Sequence, residues 1–430
     1  MKNNYLKRLA VILGFGMALG NISCTDDCET TRTYRTTVPF VLSVQEIREG
    51  IAAQAPQELN NLGKIYVKDN YIFINELKKG LHIIDNSNPQ KPENIAFLKV
   101  PGVIDMAVKD HILYADSYMD MVTFDISDPK NIKQTGRVKD VFLNGLADGI
   151  TWQYQPQSQQ VTDSDVKIIT EKIRTNCGFS IVNPTPIYYD LAYQNFSGSK
   201  GPTSPSASGT GQGGSMARFT IYNDYLYTVS MNDLVLFNIK SLTQPVQESK
   251  VNLGWGIETI FPYKDKLFIG SNTGMYIFDN KNPAKPELMS MFAHARACDP
   301  VVVANDIAYV TLRSGGPCGV APNRLDVVDV SSLAFPRLLK SYEMQNPAGL
   351  AIDFPNLFIC EGQYGLKSFD ASSVSDIKLQ QHIDKINAFD VIPLGNKHLL
   401  MVGKDGLYQY DTSNPKDLKL LSLIPVKKAY

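Results

Sequence analysis

A short apolar segment that ends in an acidic residue, followed by a turn of Ser, Asn and Pro, recurs along most of this 430-residue chain. The residues at the recurring position are Asp85, Asp125, Asn238, Asp279, Asp329, Asp370 and Asp411. Their spacings are 40, 113, 41, 50, 41 and 41 residues. The long spacing is one ordinary repeat plus about 70 inserted residues, and a period near 40 built from strands is typical of a solenoid or a β-propeller.

Each repeat contains four short strands. Residues Val103–Phe142, for example, contain the runs VIDMAV, ILYADS, DMVTFDIS and IKQTGRVKDV, separated by turn residues. One small sheet cannot bury both of its faces, whereas a ring of sheets buries them all and leaves only short edges. The seven copies therefore predict an all-β fold, a seven-bladed β-propeller of four-stranded blades over residues 62–430.

Two recurring positions have structural explanations. The second strand carries a large apolar residue that we expect to lie between neighbouring blades: Phe73, Tyr114, Tyr227, Phe268, Tyr309, Phe358 and Leu400. The recurring acid is expected to cap a turn by accepting backbone N–H groups two residues further on. These turns have too few oxygen ligands for a calcium loop, so we predict no metal and no cofactor.

The N-terminus is typical of an export signal. Lys2, Lys7 and Arg8 precede the apolar run Leu9–Leu19, which is too short to span a bilayer. The segment ends in Ile-Ser-Cys at Cys24 and resembles a bacterial lipoprotein signal over residues 1–23. This resemblance implies lipidation of Cys24 and attachment to the outer membrane. The alternative is a plain signal peptide with an unmodified cysteine.

The acids that follow Cys24 bear on which side of the membrane the protein faces. Asp26, Asp27 and Glu29 resemble the surface-export tag of lipoproteins of Bacteroidota, which implies exposure at the cell surface. Removal of residues 1–23 leaves 39 basic and 43 acidic residues, a net charge of −4. This balance argues against nucleic acid as a partner.

The exported location also permits disulfides. Cys298 and Cys318 lie in one repeat, and we predict a bridge between them. Cys360 is expected to be a buried thiol. There is no CxxC motif, and the five His are scattered, so the sequence offers no metal-ligand spacing of the zinc type.

Two segments lie outside the repeats. Within residues 24–61, Thr33–Leu42 is predicted to be a strand that adds to a blade edge, and Ser43–Ile51 a short helix with a capping box. The insertion 143–214 is predicted to hold a short helix at Asp163–Ile173 and a flexible linker at Asn195–Ser215. Such an insertion is either a partner-binding element or a loop without a role.

One position at the start of the first strand of each repeat is nearly always ionisable: Lys64, Asp105, Arg218, Glu258, Asp299, Leu350 and Asp390. In a propeller these residues converge on one end of the central channel. They could form a binding mouth, with Trp255, His294 and Arg296 on the loops just upstream. Alternatively, they form a mutually paired ring of charges that holds the blades in register.

The repeats resemble a known family. Runs such as GLHIIDNSNPQKP at Gly80–Pro92 and MYIFDNKNPAKP at Met275–Pro286 are similar to LVIVD repeats, and GSMARFTIYNDYLYTV and LFICEGQYGLKSFD are similar to stretches of LVIVD lipoproteins of Bacteroidota. The resemblance covers residues 62–430 apart from the insertion. It implies a β-propeller, and it implies no established activity or catalytic residue.

Two function classes follow. The first is a non-catalytic, lipid-anchored propeller that binds a protein or glycan. The second is a glycan hydrolase or lyase that uses carboxylates at the channel mouth, since such enzymes need two carboxylates at a set separation. The chain contains no GxSxG, HExxH, P-loop or dinucleotide-binding motif, which argues modestly against an enzyme.

Overall fold

The computed structural model describes residues 27–147, 149–176, 212–213, 215–294, 300–314, 322–395 and 397–427. The described residues form two compact units: one contains those within 27–38 and 165–176, and the other contains those within 39–164 and 212–427. The described part of the chain is almost entirely β-strand, with a single α-helix at Val44–Glu49. None of the described helices is long and apolar enough to cross a membrane.

The second unit contains the seven predicted blades, each an antiparallel meander of consecutive strands. The strands of blades 1 to 3 are Leu62–Lys68, Tyr71–Glu76, Gly80–Asp85 and Glu93–Lys99; Met106–Lys109, Ile112–Ser117, Asp120–Asp125 and Lys133–Val138; and Phe219–Tyr222, Tyr225–Val229, Asp233–Asn238 and Val246–Asn252. Blade 1 gains two short strands, Gln212–Gly213 beside its first strand and Ala52–Gln54 beside its fourth.

The remaining four blades repeat the same plan. The strands of blades 4 and 5 are Ile257–Tyr263, Lys266–Ser271, Gly274–Asp279 and Glu287–Ala293; and Val301–Ala304, Ile307–Leu312, Arg324–Asp329 and Arg337–Glu343. Those of blades 6 and 7 are Leu350–Asp353, Asn356–Cys360, Leu366–Asp370 and Lys378–Ile383; and Ala388–Leu394, His398–Gly403, Gly406–Asp411 and Lys419–Pro425.

The core lies between neighbouring blades, as predicted. The large residues of the second strands are at most 1% exposed: Phe73, Tyr114, Tyr227, Phe268, Tyr309, Phe358 and Leu400. Burying each such side chain contributes about 1.5–3 kcal/mol. One apolar cluster joins Ile392 and Leu400 of blade 7 to Ile65 and Ile74 of blade 1. Because this cluster joins the last blade to the first, the ring is closed by side-chain packing.

The recurring acid caps its turn, which confirms the sequence-based prediction. In all seven copies the side-chain oxygen accepts the backbone N–H two residues on, from Ser87, Ser127, Lys240, Lys281, Ser331, Ser372 and Ser413 at 2.7–3.1 Å. Bonds from the Ser hydroxyl and the same Ser N–H lower the pKa of five of the aspartates. The pKa of Asp279 is lowered by the Lys281 N–H and by the Lys266 ammonium. The charged form therefore holds the turn.

The capped turn also joins each blade to its neighbour. At six interfaces the backbone carbonyl four residues after the recurring position accepts a hydrogen bond from a side-chain hydroxyl of the preceding blade. The pairs are Tyr114–Leu242, Tyr227–Pro283, Ser290–Leu333, Tyr342–Val374, Ser368–Pro415 and Ser422–Pro89. The acid thus positions a carbonyl that connects the blades, a role that its spacing alone does not indicate.

The N-terminal segment and the insertion form one further sheet, in the order Asp27–Ser43, Gln160–Asn176, Ile150–Gln155 and Asn144–Ala147. Thr33–Leu42 is therefore a strand, but the prediction that it adds to a blade edge is wrong. The predicted helix at Asp163–Ile173 is also wrong, because its β-branched residues favour a strand once a partner strand is present.

The predicted helix at Ser43 is confirmed at Val44–Glu49. The Ser43 hydroxyl accepts the Glu46 N–H at 3.1 Å, and the Glu46 carboxylate accepts the Ser43 N–H at 2.7 Å. This reciprocal pair is a capping box.

Candidate functional site

Four of the predicted channel residues come together, one from each of blades 1 to 4. The Lys64 ammonium lies 2.7 Å from Asp105 Oδ2, and the Arg218 backbone N–H donates to the same oxygen. The Arg218 guanidinium donates through Nε to the Glu258 carbonyl at 3.3 Å, and it is attracted by the carboxylates of Glu258 and Asp105. The arrangement alternates positive and negative charge across three blade interfaces.

These charges are largely removed from water. The side chains of Lys64 and Asp105 are 12% and 4% exposed. Burial lowers the pKa of Lys64 to about 8, and the nearby Asp105 carboxylate opposes that change. Burial also lowers the pKa of Arg218, against the attraction of Glu258 and Asp105. The four residues thus form a partly buried network of alternating charges, in which Lys64 and Asp105 are an ion pair and the Arg218 guanidinium is attracted by Asp105 and Glu258.

Sequence reasoning missed one member of this network. Asp116, on the second strand of blade 2, accepts the backbone N–H groups of Ile104 and Asp105 at 2.8 and 2.9 Å. Burial raises its pKa to about 7. The available signal was an acid inside the apolar run ILYADS, at a position where blades 3 and 7 have valine.

The end of the insertion lies among the innermost strands. Gln212–Gly213 pairs with Tyr66 and Val67 of blade 1, the Ala217 carbonyl accepts the Ile260 N–H of blade 4 at 3.0 Å, and the Ser215 hydroxyl accepts the Leu350 N–H of blade 6 at 3.1 Å. Since these three blades contribute their first strands, the segment crosses the channel. The prediction of a flexible linker is therefore wrong for its last residues.

The insertion also reaches the charge network. The Arg218 guanidinium donates through Nη1 to the carbonyl of Leu146, which lies in the insertion strand Asn144–Ala147. Ser215 and Met216 are 4% and 3% exposed. The insertion therefore contacts the network at Arg218.

The other predicted residues lie elsewhere or outside the described part of the chain. Asp390 is buried in blade 7, where its Oδ1 accepts the Val391 N–H at 2.9 Å and lies against Gly349 of blade 6. His294 is half-buried, and its backbone N–H donates to the Thr273 carbonyl at 3.3 Å. Outside the described residues lie Cys24, Arg296, Cys298, Asp299 and Cys318. The lipidation and the disulfide stay predictions, whereas Cys360 is a buried free thiol.

Trp255 differs from the network residues because it faces solvent. Its side chain is 56% exposed, on the loop that joins Val246–Asn252 of blade 3 to Ile257–Tyr263 of blade 4. Glu258, three residues further on, belongs to the network and is half-buried. The loop therefore places an exposed residue close in sequence to the network.

In chemical terms, the network can hold blades together, but it leaves little capacity for proton transfer. Asp105 already accepts from Lys64, from the Arg218 N–H and from the Met106 N–H. Within the described ranges, no group of three or more His, Cys, Asp or Glu side chains is arranged to hold a metal ion.

A family model for the LVIVD repeat matches residues 62–95 and 297–344. The chain carries LVIVD repeats. The two matched stretches fall in blades 1 and 5, and the seven sheets show that the same unit continues around the ring. Among curated protein sequences, none matches this chain significantly.

Solved structures with a similar fold are known at low sequence identity. The periplasmic gluconolactonase PpgL of Pseudomonas aeruginosa has a TM-score of 0.50 at 9% identity, over 87% of this chain and 97% of its own. BamB of Moraxella catarrhalis has a TM-score of 0.44 at 7% identity, over 84% and 98%. At such identities the likeness concerns the fold alone. PpgL is a β-propeller, the fold class observed here.

Proposed function

We propose that this LVIVD-repeat propeller is a non-catalytic binding module, anchored by lipid at the outer membrane, that holds a protein or glycan partner. One observation carries the proposal: Asp105 is paired with Lys64, and the Arg218 guanidinium, which is attracted by Asp105 and Glu258, also donates to a carbonyl of the insertion. A binding fold whose polar centre is used for its own stability offers its outer loops to partners.

The cations beside these carboxylates are the reason for preferring binding to hydrolysis. A glycosidase needs two carboxylates flanking the scissile bond, with substrate access to both. Asp105 is bonded to Lys64, and Arg218 lies between Asp105 and Glu258. Asp116 has the raised pKa of a general acid, but it is 7% exposed and its Oδ1 accepts two backbone N–H groups. These two hydrogen bonds hold the backbone at the start of blade 2 in place.

The anchor is proposed from the sequence. The charged and apolar segments before Cys24 are those of a lipoprotein signal, and the acids after it resemble a surface-export tag. Attachment through acyl chains stabilises membrane binding by about 0.8 kcal/mol per buried methylene. A disulfide between Cys298 and Cys318 is proposed for the same exported protein.

The test separates binding from cleavage. Full-length protein with a C-terminal tag is cross-linked in native membranes and purified, and the material bound to it is identified by mass spectrometry. That material is then incubated with fresh purified protein. We expect it to be bound and recovered chemically intact. Shortened glycan chains or unsaturated sugar ends would contradict the proposal and support the hydrolase or lyase.

A matched variant tests the anchor. Cys24→Ala should move the protein from the membrane fraction to the soluble fraction, because no acyl chain can be attached. Unchanged membrane fractionation would refute lipid anchoring while leaving the binding test unaffected.

A further inference from the structure

The outermost strand of blade 1 is covered by another segment of the chain. The edge of a sheet presents N–H and C=O groups to any further strand, and natural proteins protect such edges with charges, proline or a covering segment. Here Ala52–Gln54 pairs antiparallel with the fourth strand, with Ala52 opposite Lys99 and Gln54 opposite Phe97. Under this cover the Phe97 side chain is 3% exposed.

The position of Phe97 can be compared around the ring through the pairing of the third and fourth strands. The residues at the same position in blades 2 to 7 are Arg137, Lys250, Met291, Ser341, His382 and Leu423. Blades 2, 3, 5 and 6 thus have a charged or polar residue there, whereas blades 4 and 7 share the apolar character of blade 1. An apolar residue at this position is the one that a covering strand buries.

The edge of blade 7 is protected by proline. Pro425, two residues after Leu423, lies opposite Gly406 and has no N–H to donate to a further strand. The residue at the same position of blade 4 is Ala293, opposite Gly274. No charged residue or proline lies between Leu288 and Ala293.

Blade 4 therefore has an apolar edge without these protections. Among the described residues, no strand pairs with the outer side of Glu287–Ala293.

The uncovered edge of blade 4 has the local geometry of the covered edge of blade 1. A Cβ at Gly80 would lie 2.6 Å from the Phe97 ring, and one at Gly274 would lie 2.6 Å from Met291 Cε. Met291 thus occupies the place of Phe97, yet it is 38% exposed. The difference is the one that a covering strand would remove.

Further apolar side chains adjoin this edge. Three large side chains of the strand are exposed: Leu288, Met289 and Met291. The Ser290 hydroxyl donates to the Leu333 carbonyl and so holds the turn of blade 5 against the strand. Phe335, two residues further along that turn, is 81% exposed. Contiguous exposed apolar side chains of this kind mark interaction surfaces.

We propose that the outer edge of blade 4 pairs antiparallel with the same edge of a second copy of this chain, which joins the two blades into one continuous sheet. A two-fold axis at Ser290, the middle residue of the strand, places Glu287 of each copy opposite the partner's Ala293. The two Glu287 carboxylates therefore do not face each other, and like charges directly opposite would be destabilising. Two-fold dimers are the commonest closed assemblies.

A second copy fits this edge better than a flexible peptide of another protein. The partner's strand is already extended and held by its own blade, whereas a flexible peptide would lose about 1–2 kcal/mol per residue on ordering. The partner's strand also brings no charge within Leu288–Ala293 that pairing would remove from water. This inference goes beyond the proposed function and does not depend on it.

The experiment measures the mass of the full-length protein in detergent by sedimentation equilibrium, over a range of protein concentrations. We expect a reversible equilibrium between monomer and dimer, with a dissociation constant in the micromolar range. A monomer at every concentration up to about 100 µM, the range of weak complexes, would overturn the inference. A dimer that forms equally well in the first variant below would place the contact elsewhere and also overturn it.

Met291→Lys tests whether this edge forms the contact. Each dimer would place two ammonium groups at the paired edge, so the dissociation constant should rise at least tenfold. Leu423→Lys is the matched control, because it changes the same repeat position in blade 7, where the side chain is 40% exposed. The control should dimerise like the wild type. An equal loss of dimer in both variants would refute the assignment to blade 4.

Ala293→Pro tests strand pairing separately from side-chain contact. The fold should accept this change, because blade 7 has Pro425 at the same position. Proline removes an N–H from the edge, so the dimer should be lost while circular dichroism and thermal unfolding stay those of the wild type. Undiminished dimerisation of the folded variant would refute pairing through this edge. A monomeric wild type that instead binds extended peptides, with binding lost in Met291→Lys, would refute the second copy as the occupant.

Discussion

Arg218→Leu is the substitution that tests the charge network most severely. Arg218 donates to the carbonyls of Glu258 and Leu146 and provides positive charge between Asp105 and Glu258. Leucine fills part of the space but leaves the carbonyls and one carboxylate without their cation. Removing one partner of a buried pair costs about 3–5 kcal/mol. Asp105 keeps Lys64, so we expect the lower end, about 3 kcal/mol.

The assay is equilibrium denaturation in urea, followed by circular dichroism, at neutral pH. Arg337→Leu is the matched control, because Arg337 pairs with Asp329 at 3.3 Å while its side chain is 73% exposed. Exposed pairs contribute at most about 1 kcal/mol. If Arg218→Leu destabilises no more than Arg337→Leu, the network is not what holds blades 1 to 4 together, and our interpretation of its burial is wrong.

Three further changes test other parts of the structure. Asp116→Asn should remove a pH dependence of stability. Burial raises the pKa of Asp116 from 3.8 to about 7. The contribution of its protonated carboxyl group to folding stability is therefore complete below pH 3.8 and is lost as pH rises through about 7, by up to about 4 kcal/mol. Parallel pH profiles of variant and wild type would contradict this prediction. Tyr227→Phe removes a hydroxyl that donates to the next blade and should cost about 1–2 kcal/mol. The control Tyr309→Phe should be neutral, because that buried hydroxyl has no hydrogen-bond partner among the described residues; equal effects would refute the hydroxyl link. Peptide mapping without reductant should recover Cys298 and Cys318 as one linked pair, and two free thiols would refute the bridge.

The repeating features of the fold were predictable because they are local. A period of about 40 residues, an aromatic residue in each second strand and an acid before each turn recur in the sequence, and each has a direct physical meaning. The capping box at Ser43 and Glu46 is equally local. These signals predicted the seven blades, the core between them and the capped turns.

The features that sequence reasoning missed depend on distant partners. The run Asp163–Ile173 is a strand because Asp27–Ser43 pairs with it, and its β-branched residues alone do not indicate that such a partner is present. The Gly- and Ser-rich end of the insertion predicts a flexible linker, yet small residues are what fit among the innermost strands. The link from each turn to the preceding blade also requires knowledge of how neighbouring blades meet.

The candidate site was predicted in part. The shared repeat position predicted that four residues lie close together, and the structure brings them together: Lys64, Asp105, Arg218 and Glu258. The sequence did not decide between an open mouth and a paired ring, because pairing and enclosure depend on where the insertion passes. It also gave no reason to separate Trp255 from the network.

We claim that Asp105 and Glu258 stabilise the propeller and do not catalyse a reaction. The variant Glu258→Gln tests this claim most directly. This variant keeps the shape of the side chain and the backbone carbonyl that accepts from Arg218. Wild type and variant are each incubated with the glycan recovered from native membranes, and chain lengths are measured by mass spectrometry. We predict that both bind it and that neither shortens it. Shortening by the wild type that is lost in Glu258→Gln would show a catalytic carboxylate and contradict the account.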